Sequence, residues 1–241
     1  MKLQRRTGRA FVIFAWAGFF MWLWLSGELS RYVGPRTDWV IPFGAITLTV
    51  VLLGYLIFGF RSSGVRGSLT RRESAALGLI LLPILGVILI PNAQLGSFAV
   101  SKKDAGASNV VLSKSPGAKD PSKIGLVHLQ TGEEYPGYAE YAGLTDGIEL
   151  KLIGFVVRLD DTPDGMFELA RFYIACCAAD ATPSFVAVDP HEVAPADQYP
   201  EDTWLDVAGT LENQDGQFVI VASQIVEIPE PDEPYLPFLG L

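Results

Sequence analysis

Three long apolar runs without a charged side chain dominate the first 96 residues of this 241-residue chain. They cover residues 10–26, 39–60 and 75–91. A helix needs about 20 largely apolar residues to cross the hydrocarbon core of a bilayer, with about 17 as the lower limit. The sequence therefore predicts an α-helical membrane domain of three spans over residues 1–96. Because ion pathways usually carry buried charges, these spans do not resemble a pore.

The flanks of the spans predict their direction. Residues 1–9 hold four basic residues and no acidic one, residues 61–74 hold four arginines and one glutamate, and residues 27–38 are balanced. The positive-inside rule places the two basic flanks in the cytoplasm. We therefore expect a multi-pass protein of the plasma membrane, with a cytoplasmic N-terminus and an extracytoplasmic C-terminal domain.

The remainder of the chain has the opposite charge. Residues 97–241 contain eight basic and 24 acidic residues. A domain this acidic repels phosphate backbones, which argues against a nucleic-acid partner. Residues 97–123 are rich in Ser, Ala, Gly, Lys and Pro, which is typical of a flexible linker. The predicted extracytoplasmic domain then covers residues 124–241.

This domain has the pattern of a small all-β fold. Alternating, β-branched segments predict strands at 148–158, 166–177, 184–188, 204–211 and 217–228, and turn signals lie at 161–165 and 213–216. A short helix is predicted at 138–144. Five short strands suggest a Greek-key barrel similar to an OB-fold. Gly154 and Gly209 lie within strands, where a small barrel needs kinks or close backbone approach.

The two cysteines of the chain, Cys176 and Cys177, are adjacent in sequence. Neighbouring side chains on a strand point to opposite faces, so Phe172, Ile174 and Cys176 would share the interior face. A regular strand therefore cannot direct both thiols at one metal ion. A turn or bulge at the strand end, which residues 178–179 would allow, is required for that.

Three interpretations of this segment compete. Cys176 and Cys177, with Asp180 and with His191 as a further candidate, could hold zinc or copper. In an oxidising compartment the adjacent cysteines could instead form a strained disulfide. The third interpretation is that Cys176 packs as a small core residue and Cys177 has no particular role.

The sequence predicts no catalytic and no cofactor-binding residue. It shows neither a nucleophile motif in the outer domain nor a glycine-rich phosphate loop. Redox pairs use C-x-x-C spacing, which these adjacent cysteines lack. His128 and His191 have no histidine partner at helical spacing, so we expect them at the surface. The chain is therefore not expected to be an enzyme.

Several stretches carry a resemblance to a known family: SGELSRY at 26–32, LPI at 82–84, IPNAQL at 90–95, GFV at 154–156, RFYIACCAADA at 171–181, WLDVAGTL at 204–211 and PYL at 234–236. With these the chain resembles the YcgQ-like DUF1980 family of bacterial membrane proteins, described as subunits that accompany a predicted permease. The resemblance implies motif positions for Arg171, Cys176, Cys177, Asp180, Trp204 and Gly209. It assigns none of them a role.

We therefore expect an accessory subunit of a two-component membrane permease. Its spans would dock against the multi-span partner, and its outer domain would bind substrate or cap the permease. The alternative is a membrane-anchored metal-binding or metal-sensing protein that acts without a permease. A purely structural envelope protein is a further possibility.

Overall fold

The computed structural model describes residues 5–34, 36–59, 68–89, 95–102, 120–190, 193–214 and 216–236. The chain forms two compact units. One comprises Met1–Tyr32 and Arg36–Gln94, and the other comprises Val33–Pro35 and Leu95–Leu241. The short segment at 33–35 thus belongs to the C-terminal unit, although it lies between the first two apolar runs.

The N-terminal unit contains the three predicted helices. Helix α1 covers Arg5–Leu25, α2 covers Val40–Gly54 and continues into a π-helical turn at Tyr55–Gly59, and α3 covers Arg71–Leu89. In the described residues, three helices are long and apolar enough to cross a membrane. Two of them begin earlier than the apolar runs because α1 and α3 include the basic residues that precede each run.

A salt bridge joins α1 to α3. Arg5 Nε lies 3.1 Å from Glu73 Oε2, so both helices begin at the same end of the unit. The same Glu73 carboxylate accepts a hydrogen bond from the backbone N–H of Thr70 at 2.9 Å, and Thr70 Oγ1 accepts one from the Glu73 N–H at 3.3 Å. This reciprocal pair is a capping box, which satisfies N–H groups that the first helical turn leaves open.

The C-terminal unit is built on a closed five-stranded barrel. Its strands are β1 Glu149–Val157, β2 Phe167–Tyr173, β3 Thr182–Asp189, β4 Trp204–Gln214 and β5 Gln217–Glu227. The order around the barrel is β1-β2-β3-β5-β4. All neighbours are antiparallel except β3 and β5, which run parallel. This confirms the predicted small OB-like barrel.

Two helices precede the barrel: α5 Leu126–Glu134 and α6 Pro136–Ala142. The second corresponds to the short helix predicted at 138–144. Helix α5 was not predicted, and seven consecutive residues of it, from 126 to 132, are buried. Leu126 and Leu129 pack into the same hydrophobic core as the barrel strands. His128 is among the buried residues, so the expected surface position of this histidine is wrong.

The predicted strand at 166–177 is too long at its C-terminal end. Strand β2 stops at Tyr173, because the chain turns away before the two cysteines. Strand β3 is longer than predicted at both ends, and β4 extends to Gln214. The hairpin predicted at 213–216 joins β4 to β5, with Gly216 at a φ of 95°.

The two glycines within strands occupy places of close backbone approach, as predicted. A Cβ atom on Gly154 would lie 2.6 Å from the carbonyl oxygen of Ala170. A Cβ on Gly209 would lie 2.9 Å from Ala222 Cα, beside a β-bulge in the β4–β5 ladder. Neither position has room for a larger residue unless the neighbouring strand moves.

The predicted linker at 97–123 is described only at its two ends, and residues 103–119 lie outside the described residues. Its first residues form a short helix, α4 Ser97–Val100. Val100 is buried against the barrel, and the Ser97 N–H donates to Asp202 Oδ1 at 2.6 Å. The linker therefore begins later than residue 97, because this helix belongs to the barrel unit.

Candidate metal centre

The turn between β2 and β3 carries both cysteines. After Tyr173 the chain runs through Ile174 and the cysteines into a 3-10 turn at Ala178–Asp180, and β3 then begins at Thr182. Ile174 and Ala181 are buried in one hydrophobic cluster and anchor the two ends of the turn. Cys176 is exposed and Cys177 is half-buried. The turn therefore presents its thiols at the surface of the domain.

The carboxylate of Asp180 organises the backbone of this turn. Its Oδ2 accepts hydrogen bonds from the N–H groups of Cys176 at 2.9 Å and Cys177 at 3.4 Å. Its Oδ1 accepts one from the Ala175 N–H at 3.1 Å. Partial burial raises the pKa of Asp180, but the hydrogen bonds from the Cys176 thiol and from these backbone groups outweigh it and hold that pKa below its ordinary value.

The turn brings together the three residues that the sequence proposed as ligands. The sulfur atoms of Cys176 and Cys177 lie 3.8 Å apart. Both sulfurs and a carboxylate oxygen of Asp180 lie within 4.8 Å of one another. Within the described part of the chain, this is the one group of three or more His, Cys, Asp and Glu side chains placed closely enough to share a metal ion.

The thiol of Cys176 is held in its protonated form. The pKa of this thiol is raised to about 11, chiefly by its hydrogen bond to Asp180, with smaller contributions from the neighbouring Cys177 thiol and from desolvation. Thiolate, and not thiol, is the metal-binding form of cysteine. A metal ion would therefore have to displace the proton that Cys176 shares with Asp180.

The structure also bears on the core-residue and disulfide interpretations of the segment. Phe172 and Ile174 are buried as predicted, but Cys176 is exposed, so the interpretation of Cys176 as a core residue is wrong. The reason is that β2 ends before the alternation reaches Cys176. Both cysteines carry thiols and not a shared disulfide in this structure. The candidate ligand His191 lies outside the described residues.

Arg171 and Trp204, two further motif positions, take part in a contact outside the cysteine turn. Arg171 Nε donates to the carbonyl of Pro234 at 2.9 Å, and its Nη2 donates to the carbonyl of Glu233. Its guanidinium carbon lies 5.8 Å from the centroid of the Trp204 ring. Burial lowers the pKa of Arg171. These contacts hold the C-terminal PYL segment against the barrel. The Leu236 N–H also donates a hydrogen bond to the carbonyl of Phe172 in β2.

Sequence reasoning missed one element of the site. Val33 forms an antiparallel bridge with Cys177, and the Gly34 N–H donates to the carbonyl of Cys176 at 3.2 Å. These residues lie more than 140 positions before the cysteines, so no local pattern connects them. The available signal was the motif at 26–32, which ends directly before Val33.

Residues 137–236 match the family model of the DUF1980 C-terminal domain. The match bears out the resemblance to the DUF1980 family over these residues, which include all five strands of the barrel and the Cys176–Asp180 turn.

No curated protein matches the chain. Among solved structures, a chain in the crystal structure of the S. pombe Stn1–Ten1 complex matches 46% of this chain and 81% of its own length, at 21% identity and a TM-score of 0.27. A likeness of this strength carries no argument about the function of the barrel.

Proposed function

We propose that the DUF1980 domain of this protein binds a thiophilic metal ion, zinc or copper(I), through Cys176, Cys177 and Asp180. The observation that carries the proposal is the 3.8 Å separation of the two sulfur atoms. Two thiolates at the usual zinc–sulfur distance of about 2.3 Å lie about 3.8 Å apart when the ion is tetrahedral. The thiols are thus spaced as a shared ion requires.

The donor set favours an exchangeable site over a structural one. Structural zinc sites are closed by four protein ligands, whereas sites with three protein ligands keep a position for water or for another molecule. Here three side chains converge, and Cys176 is exposed. Asp180 also accepts three backbone hydrogen bonds, which leaves few lone pairs for a metal. Such a site suits the capture and transfer of an ion.

A titration of the reduced full-length protein in mild detergent tests this proposal. Zinc is added in competition with a coloured chelator, and one equivalent should bind. The Cys176→Ser/Cys177→Ser double variant should lose this binding, while Asp160→Asn, which alters an exposed carboxylate outside the site, should retain it. The absence of zinc and copper(I) binding in the parent protein would overturn the proposal.

We further propose that the DUF1980 domain lies outside the plasma membrane and the N-terminus lies in the cytoplasm. The basic flanks support this orientation. The place of Val33 and Gly34, from the connection between α1 and α2, in the same compact unit as the barrel supports a common side for this connection and the C-terminal domain, while the direction rests on the basic flanks. If α1, α2 and α3 all cross the bilayer, that connection and the C-terminal domain emerge on the same side. Protease added to right-side-out vesicles should therefore cleave the C-terminal domain, and protection in intact vesicles would contradict this orientation.

The role as an accessory subunit of a permease is a second proposal. It is supported by the family resemblance. It is also supported by the exposure of the three apolar helices, whose most apolar stretches are only 17%, 6% and 0% buried within the chain, which leaves their faces for lipid or another membrane protein. A multi-span permease should co-purify with the tagged protein in mild detergent. Recovery of the protein alone, at native expression and after cross-linking, would contradict this role.

A further inference from the structure

Backbone groups of the cysteine turn are held from two sides. On one side the Asp180 carboxylate accepts the N–H groups of Cys176 and Cys177. On the other side, Gly34 donates its N–H to the Cys176 carbonyl at 3.2 Å, and Val33 bridges Cys177 in antiparallel fashion. The segment Val33–Gly34, which we name the strap, therefore borders both proposed thiol ligands without supplying a ligand itself.

The strap fits closely because residue 34 is a glycine. A Cβ atom at this position would lie 3.1 Å from the carbonyl oxygen of Ile174, 3.3 Å from Ile174 Cγ2 and 3.4 Å from the carbonyl oxygen of Ala175. The two contacts with Ile174 are tighter than ordinary van der Waals separations, so Ile174 would have to give way by a few tenths of an ångström. A branched side chain at Gly34 would displace the strap from the turn.

We infer that Val33 and Gly34 are positioning residues of the metal centre, and that metal binding and docking of the strap stabilise each other. The inference rests on the proposed metal binding. An ion shared by Cys176, Cys177 and Asp180 restricts the turn to one conformation, which is the one that the strap pairs with. Coupling between two such events is reciprocal by thermodynamic necessity. The strap lies eight residues after α1 ends at Leu25 and six before α2 begins at Val40, so its docking involves the connection between two apolar helices.

The docking itself can be tested without metal. In full-length protein carrying Cys176→Ser, a Val33→Cys substitution should form a disulfide with Cys177 under mild oxidation, because bridged residues of antiparallel strands lie within disulfide reach. Ser30→Cys in the same connection provides the matched control and should not cross-link. Failure of the Val33→Cys variant to cross-link would overturn the inference, whatever the outcome of metal titrations.

The positioning role is tested with the cysteines intact. Gly34→Val should weaken zinc binding by about 10–100-fold, the usual effect of losing a group that orients metal ligands, and Gly34→Ala should weaken it less. Gly137→Val in α6, where a Cβ would meet nothing within 4 Å, should bind zinc like the parent. Zinc should also slow hydrogen exchange at residues 30–34 in the parent and not in Gly34→Val.

The outcomes are distinguishable. If the parent binds no zinc and no copper(I) but the Val33→Cys cross-link forms, the proposed metal binding fails while docking of the strap stands. If the parent binds zinc, the cross-link forms and Gly34→Val binds as tightly as the parent, the metal centre stands and the positioning role is wrong.

Discussion

The carboxylate of Asp180 accepts the backbone N–H of Cys176 at 2.9 Å and lies within 4.8 Å of the sulfur of the same residue. One side chain therefore both builds the turn and faces the thiols that the turn presents. An ionised carboxylate has about four lone-pair positions. Three backbone N–H groups use three of them. The remaining position is available to the Cys176 thiol proton or, in the proposed function, to a metal ion.

Replacement of Asp180 by Asn should accelerate the reaction of the Cys176 thiol and weaken zinc binding. Without the carboxylate, the pKa of Cys176 should fall from its raised value toward that of an ordinary thiol, so its reaction with a disulfide reagent at pH 8 should accelerate several-fold. Zinc affinity should fall by about 10–100-fold. Both are measured on detergent-solubilised full-length protein. A slower thiol reaction would show that Asp180 does not raise the pKa of Cys176, and an unchanged zinc affinity would show that Asp180 is not part of the metal centre.

Zinc affinity should increase with pH. The pKa of the Cys176 thiol is raised to about 11, so this thiol is protonated throughout the range from pH 6 to pH 8. Each proton that zinc displaces makes the apparent affinity rise about tenfold per pH unit. A competition titration at several pH values should therefore give a slope of at least one. A flat profile would mean that zinc binds without displacing a thiol proton.

Glu168 should make the folded domain less stable at alkaline pH. The pKa of this carboxyl is raised to about 7, chiefly by burial and in addition by the negative charges of Asp161 and Glu133. A carboxyl whose pKa is raised on folding favours the folded state while it is protonated. The contribution of Glu168 to the free energy of unfolding is therefore largest below its unfolded pKa near 4.5 and is lost as the pH rises through about 7.

Glu168→Gln should accordingly stabilise the protein above pH 7, by at most about 3 kcal/mol, and should have little effect at pH 4. Thermal unfolding of the full-length protein at pH 4, 6 and 8 measures the difference. Glu227→Gln, at an exposed position of β5, is the matched control and should show no such pH dependence. Equal midpoints for Glu168→Gln and the parent at pH 8 would contradict the prediction.

Arg171→Lys should loosen the C-terminal segment without affecting the metal centre. A lysine cannot reproduce the paired donation to the carbonyls of Glu233 and Pro234, nor the guanidinium contact with Trp204. We expect a loss of about 1–3 kcal/mol in unfolding free energy, because the carbonyls of Glu233 and Pro234 lose hydrogen bonds from a charged donor. Limited proteolysis should cut the C-terminal segment faster, at unchanged zinc affinity. A large loss of zinc affinity would place Arg171 in the metal centre instead.

The sequence was sufficient to predict strands whose side chains alternate between the barrel core and the solvent. The strand pattern of β1, β4 and β5 follows from one face in the barrel core, and the three apolar helices follow from length and absence of charge. Helix α5 could not be found this way, because residues 126–132 are buried on every side and show no exposed polar face.

The metal centre was predictable only in part. Cys176, Cys177 and Asp180 were candidates by residue type, but alternation along a strand argued against their convergence. The end of β2 at Tyr173 depends on tertiary packing of Ile174 and Ala181, which no local pattern reveals. The contact of Gly34 with the turn spans more than 140 residues of sequence and was beyond any periodicity argument.

The most direct test of the proposed metal centre is X-ray absorption at the zinc edge, recorded on reduced full-length protein loaded with one equivalent of zinc. We expect two sulfur neighbours at about 2.3 Å, completed by oxygen or nitrogen atoms at about 2.0–2.2 Å. The sulfur shell should disappear in the Cys176→Ser/Cys177→Ser variant. A coordination shell of oxygen and nitrogen alone in the parent protein would contradict the account.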